Sequence, residues 1–259
     1  MEVIIKRDYG EICDEAASIT LRAWQRKKNL VLGTATGRTP LGLYEKLIAL
    51  FNKGEFDFSE VVTFNLDEYF GLEETHPQSF AYFMDSGLFR KINIRKENIH
   101  QLSGRPTDIE EHCRAYEQEI RSAGGIDIQI LGIGRNGHIG FNEPTSSLAS
   151  RTRLKSLTKE TIEANAPAFA SPNDVPRLCL TMGIGTILEA RTILLLASGK
   201  EKAGIAARAI EGPVTASVPA SALQLHPDVK VIIDEEAASN LALQDYYRWT
   251  YENKGRAAR

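Results

Sequence analysis

The sequence predicts an α/β fold: a single domain with a Rossmann-like, mostly parallel sheet and helices on both of its faces. Three observations predict it. Short runs of near-continuous Val, Ile and Leu recur along the chain, the composition of strands buried on both sides. Between them lie longer stretches in which apolar residues return every three to four positions, as in amphipathic helices. Finally, 259 residues suffice for one large core, and no Pro/Gly/Ser-rich linker or shift of composition divides them. The domain is expected to run over 1–259, with 240–259 as a C-terminal tail.

In chain order, residues 3–5 predict a brief strand and residues 9–26 a helix with three-to-four apolar spacing. Residues 29–33 (NLVLG) predict a buried strand that feeds the turn Thr34-Ala35-Thr36-Gly37-Arg38. Pro40, suited to a helix's first turn, opens a helix over 41–51. Residues 60–66 (EVVTFNL) are the next strand and end at Asp67-Glu68. A helix is expected over 110–122, then the strand 126–131 (IDIQIL). Residues 192–196 (TILLL) and 229–233 (VKVII) complete the strands, with a helix over 202–211 between them. Strands alternating with helices give a parallel sheet, and ligands of such sheets gather at the carboxyl ends of the strands.

With 42% hydrophobic and 25% charged residues the composition is that of an ordinary soluble protein. A formal charge of -3 gives no reason to expect nucleic acid or an anionic membrane as partner. No apolar stretch approaches the roughly 20 residues that span a bilayer. The opening MEVIIKRDYGE lacks a signal peptide's apolar centre. Cys13, Cys113 and Cys179 are too few and too scattered for a disulfide framework or a zinc site, and read as reduced buried thiols. A cytoplasmic protein without metal is the expectation.

Three strand-end loops could carry function. In GIGRNGHIGFNEP (132–144), Gly132, Gly134 and Gly137 match the G-x-G-x-x-G of a dinucleotide turn. That turn must run into a helix whose N-terminus holds the pyrophosphate, and HIGFNEP, with a glycine and a proline within seven residues, is poor helix material. No nicotinamide or flavin cofactor is therefore expected. The loop reads better as chemistry. The His138 imidazole can move a proton at a substrate oxygen, Glu143 can orient the ring, and Asn136 can fix its other side. The plain alternative is a turn with a satisfied histidine.

In Thr36-Gly37-Arg38-Thr39-Pro40, free N–H groups at a helix start, with Arg38 and Thr39, suit a phosphate. A capped helix with a surface arginine fits equally well. Asp67 and Glu68 end a strand. One of them facing a pocket would serve as a general base, whereas an acidic pair opening a loop is more often solvated.

Together NLDEY, GIGRNGHIGFNEP and TATGRTP resemble the glucosamine-6-phosphate deaminases, a group related to the 6-phosphogluconolactonases. The similarity continues through SSLASRTRLKSL, VPRLCLTMGIGTIL and PASALQLHPDVKVIID, so it covers most of the chain, and GHIGFNEP belongs to the deaminase branch. The resemblance implies a hydrolase/isomerase reaction of amino-sugar catabolism, from glucosamine 6-phosphate and water to fructose 6-phosphate and ammonia, without metal or organic cofactor. It implies that Asp67 moves a proton between C2 and C1, that His138 opens the sugar ring, and that Glu143 and Asn136 are its partners. It implies a phosphate grip made by Thr36, Gly37, Arg38, Thr39 and Lys202. Some members are hexamers activated by N-acetylglucosamine 6-phosphate, and Ser146, Arg153 and Lys155 match that second site. An unregulated chain with a basic surface strand is the other reading. The aromatic tail Tyr246-Tyr247-Arg248-Trp249-Thr250-Tyr251 would pack on a neighbour or cover the effector site.

Two departures stand out. Asn136 takes a place often held by Asp, and an amide offers the imidazole no negative charge. The stretch that in the family carries a substrate-binding arginine reads Ala164-Asn165-Ala166-Pro167-Ala168-Phe169 here, without arginine. Arg38, where relatives usually have glycine, is expected to supply that cation. The competing functions are a lactonase or a galactosamine-6-phosphate isomerase on the same fold, and a non-catalytic sugar-phosphate sensor. Against a sensor, Asp67, His138 and Glu143 are all retained.

Overall fold

Seven strands line up in parallel in the order β1-β10-β9-β6-β2-β3-β5 in this computed structural model, which describes residues 1–257. They are β1 (Glu2–Lys6), β2 (Val31–Thr34), β3 (Val62–Asn65), β5 (Ile99–His100), β6 (Ile128–Gly132), β9 (Thr192–Ala197) and β10 (Val229–Asp234). Helices α1 (Tyr9–Arg26), α2 (Arg38–Asn52), α4 (Ile109–Ser122) and α7 (Ala203–Ile210) fall between successive strands. Strands β2, β9 and most of β6 are buried at consecutive positions, so both faces of the sheet are covered. Ile130, Leu131, Leu194, Leu196, Val231 and Ile233 form the centre of the core. The α/β fold expected from sequence is the one observed.

A second, three-stranded antiparallel sheet stands beside the first. It pairs β4 (Asp67–Tyr69) with β8 (Leu178–Thr181), and β8 with β7 (Arg153–Ser156). Short helices α3 (Phe80–Gly87), α5 (Lys159–Asn165) and α6 (Ile184–Ile187) flank it. None of this is foreshadowed by apolar runs. Asp67 and Glu68, expected to open a loop, instead pair in β4, with Asp67 opposite Thr181.

The strand order fixes where the loops meet. From β2 the chain winds outward through β3 and β5, then returns to β6 on the other side of β2 and winds outward again through β9 and β10. The crevice between β2 and β6 is therefore the switch point at which such sheets take ligands. The TATGRT turn leaves β2, and the glycine loop leaves β6.

After α8 (Glu235–Ala238), the chain closes with α9 (Gln244–Ala257), against β1. The Tyr251 hydroxyl donates to Glu15 at 2.8 Å and accepts from Lys6 at 3.1 Å. That aromatic therefore packs on its own chain, while Tyr246 and Trp249 stay exposed, Trp249 at 62%. The last two residues of the expected tail lie outside the described residues. Among the described residues no helix is long and apolar enough to cross a membrane.

Candidate active site

Helix α2 begins at Arg38, two residues before Pro40, with Gly37 as its N-cap at φ 96°. Asp8, Ser79, Asp108 and Thr158 cap α1, α3, α4 and α5 through their side chains, but no side chain caps α2. Its first N–H groups, beside the hydroxyl of Thr39, are left for something else. Arg38 is exposed and forms no ion pair among the described residues. Thr36 and Thr39 are half-buried. Tyr44 braces the turn from beneath, donating to the Ala35 carbonyl at 2.6 Å.

Lys202 ends the helical turn that leads into α7, and its ammonium donates to the Ile133 carbonyl at 2.9 Å. It therefore reaches the glycine loop. Burial, and then the charge of Arg135, push this ammonium below the usual lysine range, against the opposing pull of Glu201. Arg135, which nothing in the sequence singled out, thus adds a second cation to this corner.

The glycine loop forms no helix; it is a chain of turns. A Cβ on Gly134 would fall within 2.4 Å of the ring atoms of His138, so this glycine makes room for an imidazole. Asn136 bridges the site. Its Nδ2 donates to Glu143 Oε2 at 2.7 Å, and its Oδ1 lies 2.8 Å from His138 Nδ1. A carboxylate can only accept, so the amide must turn its NH₂ to Glu143 and its oxygen to the ring. That oxygen in turn requires a proton on Nδ1, which leaves Nε2 with the free lone pair. The sequence puts Asn136 on the far side of the ring from Glu143. Instead both meet Nδ1, with Glu143 Oε2 at 3.5 Å.

Glu143 is 1% exposed. Burial alone would raise its carboxyl; contacts with His138, Thr161 and Asn136 outweigh this and bring it down to about 2. Two residues on, Thr145 adopts φ 74°. A β-branched residue in that region is strained and is held there only by its surroundings.

Asp67 is 5% exposed and Glu68 2%, so neither is the solvated pair that an acidic dipeptide suggests. Glu68 accepts the N–H groups of Tyr69, Phe80 and Ala81 at 2.8–2.9 Å and fastens α3 to β4. The Asp67 carboxylate has no such partners among the described residues. Burial, and then the charge of Glu68, hold it well above the usual carboxylate range. The glycine loop comes close to it: a Cβ on Gly140 would stand 3.0 Å from Thr181 Oγ1 and 3.1 Å from Leu66. The Phe141 N–H donates to Thr181 Oγ1 at 3.1 Å, and Thr181 is the strand partner of Asp67. Cys179 feels two acids: burial, then the charges of Asp67 and Glu143, push its thiol up.

The family model for glucosamine-6-phosphate isomerases/6-phosphogluconolactonase matches residues 9–232. The chain belongs to this family. Among its relatives, the glucosamine-6-phosphate deaminase of Thermoanaerobacter pseudethanolicus is 54% identical over 95% of this chain and 97% of its own. That of Shewanella loihica is 53% identical over 96% and 92%. The structure of a monomeric glucosamine-6-phosphate deaminase superposes with a TM-score of 0.90 at 46% identity, over 93% of this chain and all of that one. A 6-phosphogluconolactonase from Thermotoga maritima, 21% identical with a TM-score of 0.71 over 90% of this chain and 98% of its own, shares the fold alone.

Within this isomerase family member the arginine-free stretch closes α5 and continues as a short turn, Ala166–Ala168. Phe169 then packs edge-on against Tyr69, 5.7 Å between ring centres. Ser146 follows the glycine loop, its N–H donating to the Glu143 carbonyl at 3.0 Å, and Arg153 and Lys155 lie on β7. Arg153 donates to Asn142 Oδ1 at 2.9 Å. Beyond Arg135, sequence reasoning missed Thr158, which touches Glu143; only the T-x-x-T spacing of a helix cap hints at it.

Proposed function

We propose that the protein converts glucosamine 6-phosphate and water to fructose 6-phosphate and ammonia. One observation supports this reading: the glycine loop that holds the His138 ring through Asn136 and Glu143 is reached by Lys202 at Ile133, lies beside Thr39 at Gly132, and meets Thr181, the strand partner of Asp67, at Gly140 and Phe141. Relatives named for this activity at 54% and 53% identity support it.

The phosphate would rest on the first N–H groups of α2, with Thr36, Gly37, Thr39, Arg38 and Lys202 around it. His138 Nε2, bearing the lone pair, takes the proton of the C1 hydroxyl and returns it to the ring oxygen, and the sugar opens. Asp67 removes the C2 proton while the C1 oxygen gains one, giving the enolamine. It then delivers its proton to C1. Water adds at C2 and ammonia leaves. A carboxylate whose proton affinity is raised by burial suits such a shuttle between adjacent carbons. The chemistry is an isomerisation coupled to deamination, so the hydrolase label suggested by water uptake does not describe it. Three buried free thiols accord with a cytoplasmic setting.

A second ligand site is also proposed. The Ser146 hydroxyl is buried with no partner among the described residues, and Arg153 has no carboxylate there. Burial pushes that guanidinium down. With Lys155 these residues suit the phosphate of N-acetylglucosamine 6-phosphate. Whether such binding requires a hexamer is decided by sedimentation with and without that ligand.

The test is ammonia release from glucosamine 6-phosphate, coupled to glutamate dehydrogenase, for wild type and Asp67→Asn, with and without N-acetylglucosamine 6-phosphate. Wild type should release ammonia, and D67N should do so at least about a hundredfold more slowly. A wild-type protein that hydrolyses 6-phosphogluconolactone, or accepts only the galacto sugar, would overturn the assignment.

A further inference from the structure

Helix α5 opens directly against Glu143, and its N-cap residue uses one hydroxyl for two tasks. As acceptor, Thr158 Oγ1 takes the Thr161 N–H at 3.3 Å, an ordinary capping bond. As donor, the same oxygen lies 3.2 Å from Glu143 Oε1. The Thr158 N–H reaches that carboxylate oxygen at 3.4 Å, and the Thr161 hydroxyl stands 3.1 Å from that of Thr158. The carboxylate is thus divided. Oε1 belongs to the start of α5, and Oε2 belongs to Asn136 and, through it, to His138.

The remainder of the segment is fastened on the Asp67 side. Leu157, Ile162 and Phe169 pack with Tyr69, Phe141 and Cys179 in one apolar cluster. The segment from 157 to 169 therefore spans the site from Glu143 to the strand of Asp67.

We infer that Thr158 is a positioning residue: its hydroxyl ties the seating of α5 to the Glu143 carboxylate, and through it to the imidazole. The inference rests on the roles proposed above for His138 and Glu143. The terminal torsion of a glutamate is broad, so a carboxylate that loses the Thr158 hydroxyl at Oε1, keeping only the longer Thr158 N–H contact and Thr161, is held less firmly against turning. Turning carries Oε2 away from Asn136. The amide then has no reason to keep its oxygen toward Nδ1, and the lone pair on Nε2 is no longer assured.

Three substitutions separate this from simple helix capping. Thr158→Ser keeps both the cap and the donor. Thr158→Asp keeps a good cap but has no proton to give, and sets a second negative charge beside Oε1. Thr158→Val loses both. For each full-length variant, kcat and KM for ammonia release are measured, and the Glu143 carboxyl is titrated by carbon NMR. T158S should stay within about twofold of wild type, and T158V should lose kcat by about tenfold, the scale of one hydrogen bond to a charge. T158D should lose at least as much, with KM moving less than kcat. The Glu143 carboxyl should move up in T158V and T158D and stay in T158S. A T158D enzyme with wild-type kcat would reduce Thr158 to a helix cap and overturn the inference. Equal losses in T158S and T158V would do the same by assigning the effect to the methyl group. Should T158V fail to fold, the T158D and T158S pair carries the same decision. A wild-type protein that releases no ammonia overturns the proposed function instead, and the Glu143 titration still decides the contact.

Discussion

Replacing Asp67 with asparagine should make the protein more stable and inactive at once. The carboxylate is buried and unpartnered, and burial together with Glu68 holds it well above the usual carboxylate range. Ionising this group therefore costs more in the folded chain than in the unfolded one. An unpartnered buried group costs about 1–3 kcal/mol when neutral and more when charged, and the excess for the charge, taken here to be of that same order, is what asparagine removes. Asparagine has nearly the same shape and no charge. D67N should therefore gain about 1–3 kcal/mol at neutral pH, which for a chain of this size raises Tm by roughly 2–12 °C. The sign with pH follows from proton binding. Above the ordinary value near 3.8 the folded state holds more proton than the unfolded one, so wild-type stability falls as pH rises toward the raised folded value. D67N lacks this titration, so its advantage should grow with pH and vanish at about pH 4. Melting both proteins at about pH 4 and about pH 7.5 reads this directly. Activity should fall roughly 10²–10⁴-fold, the scale of a positioned proton carrier. A D67N protein that melts no higher than wild type at neutral pH, or whose advantage ignores pH, would refute the picture of an unpaired buried base.

Two further outcomes are expected. Arg38→Gly should raise KM for the phosphosugar at least tenfold with little change in kcat, since a charge-assisted hydrogen bond to phosphate is worth about that factor; an unchanged KM would remove Arg38 from the phosphate grip. Glu143 works in the opposite sense from Asp67: its folded carboxyl is depressed to about 2 from 4.5, so its contribution to stability is present above the higher value and lost as pH falls toward the lower. Urea unfolding should accordingly show wild type well ahead of Glu143→Gln at neutral pH and the gap closing by about pH 3; a gap independent of pH would mean the carboxylate is not held as an ion.

The parallel sheet is legible in sequence because its strands are covered on both faces, so each must be apolar throughout: TILLL and VKVII can hardly be anything else. The three-stranded sheet is silent for the converse reason. Its strands read DEY, RLKS and LCLT, three or four residues each, and two of them polar. They are held by pairings between residues distant in sequence, more than a hundred positions for Tyr69 with Cys179 and 24 for Lys155 with Cys179. The site divides in the same way. Which side chains could do chemistry is readable from their type and their place after strands. How they are wired is not: the burial of Glu68, the meeting of Asn136 and Glu143 on one ring nitrogen, and the reach of Thr158 depend on geometry that no spacing encodes. Pro40 misleads slightly, because a proline is tolerated throughout a helix's first turn and here stands third.

The presence of two separate sheets matters for how such a molecule can be altered. The proposed anchor for an anionic end, on the turn after β2 and at Lys202, belongs to the large parallel platform, whereas Asp67 rides on a small ribbon beside it. Exchanging the ribbon, which is assembled from residues 67–69 and from the separate stretch 153–181, would leave the proposed handle for the phosphate in place while changing the group presented to the rest of the sugar.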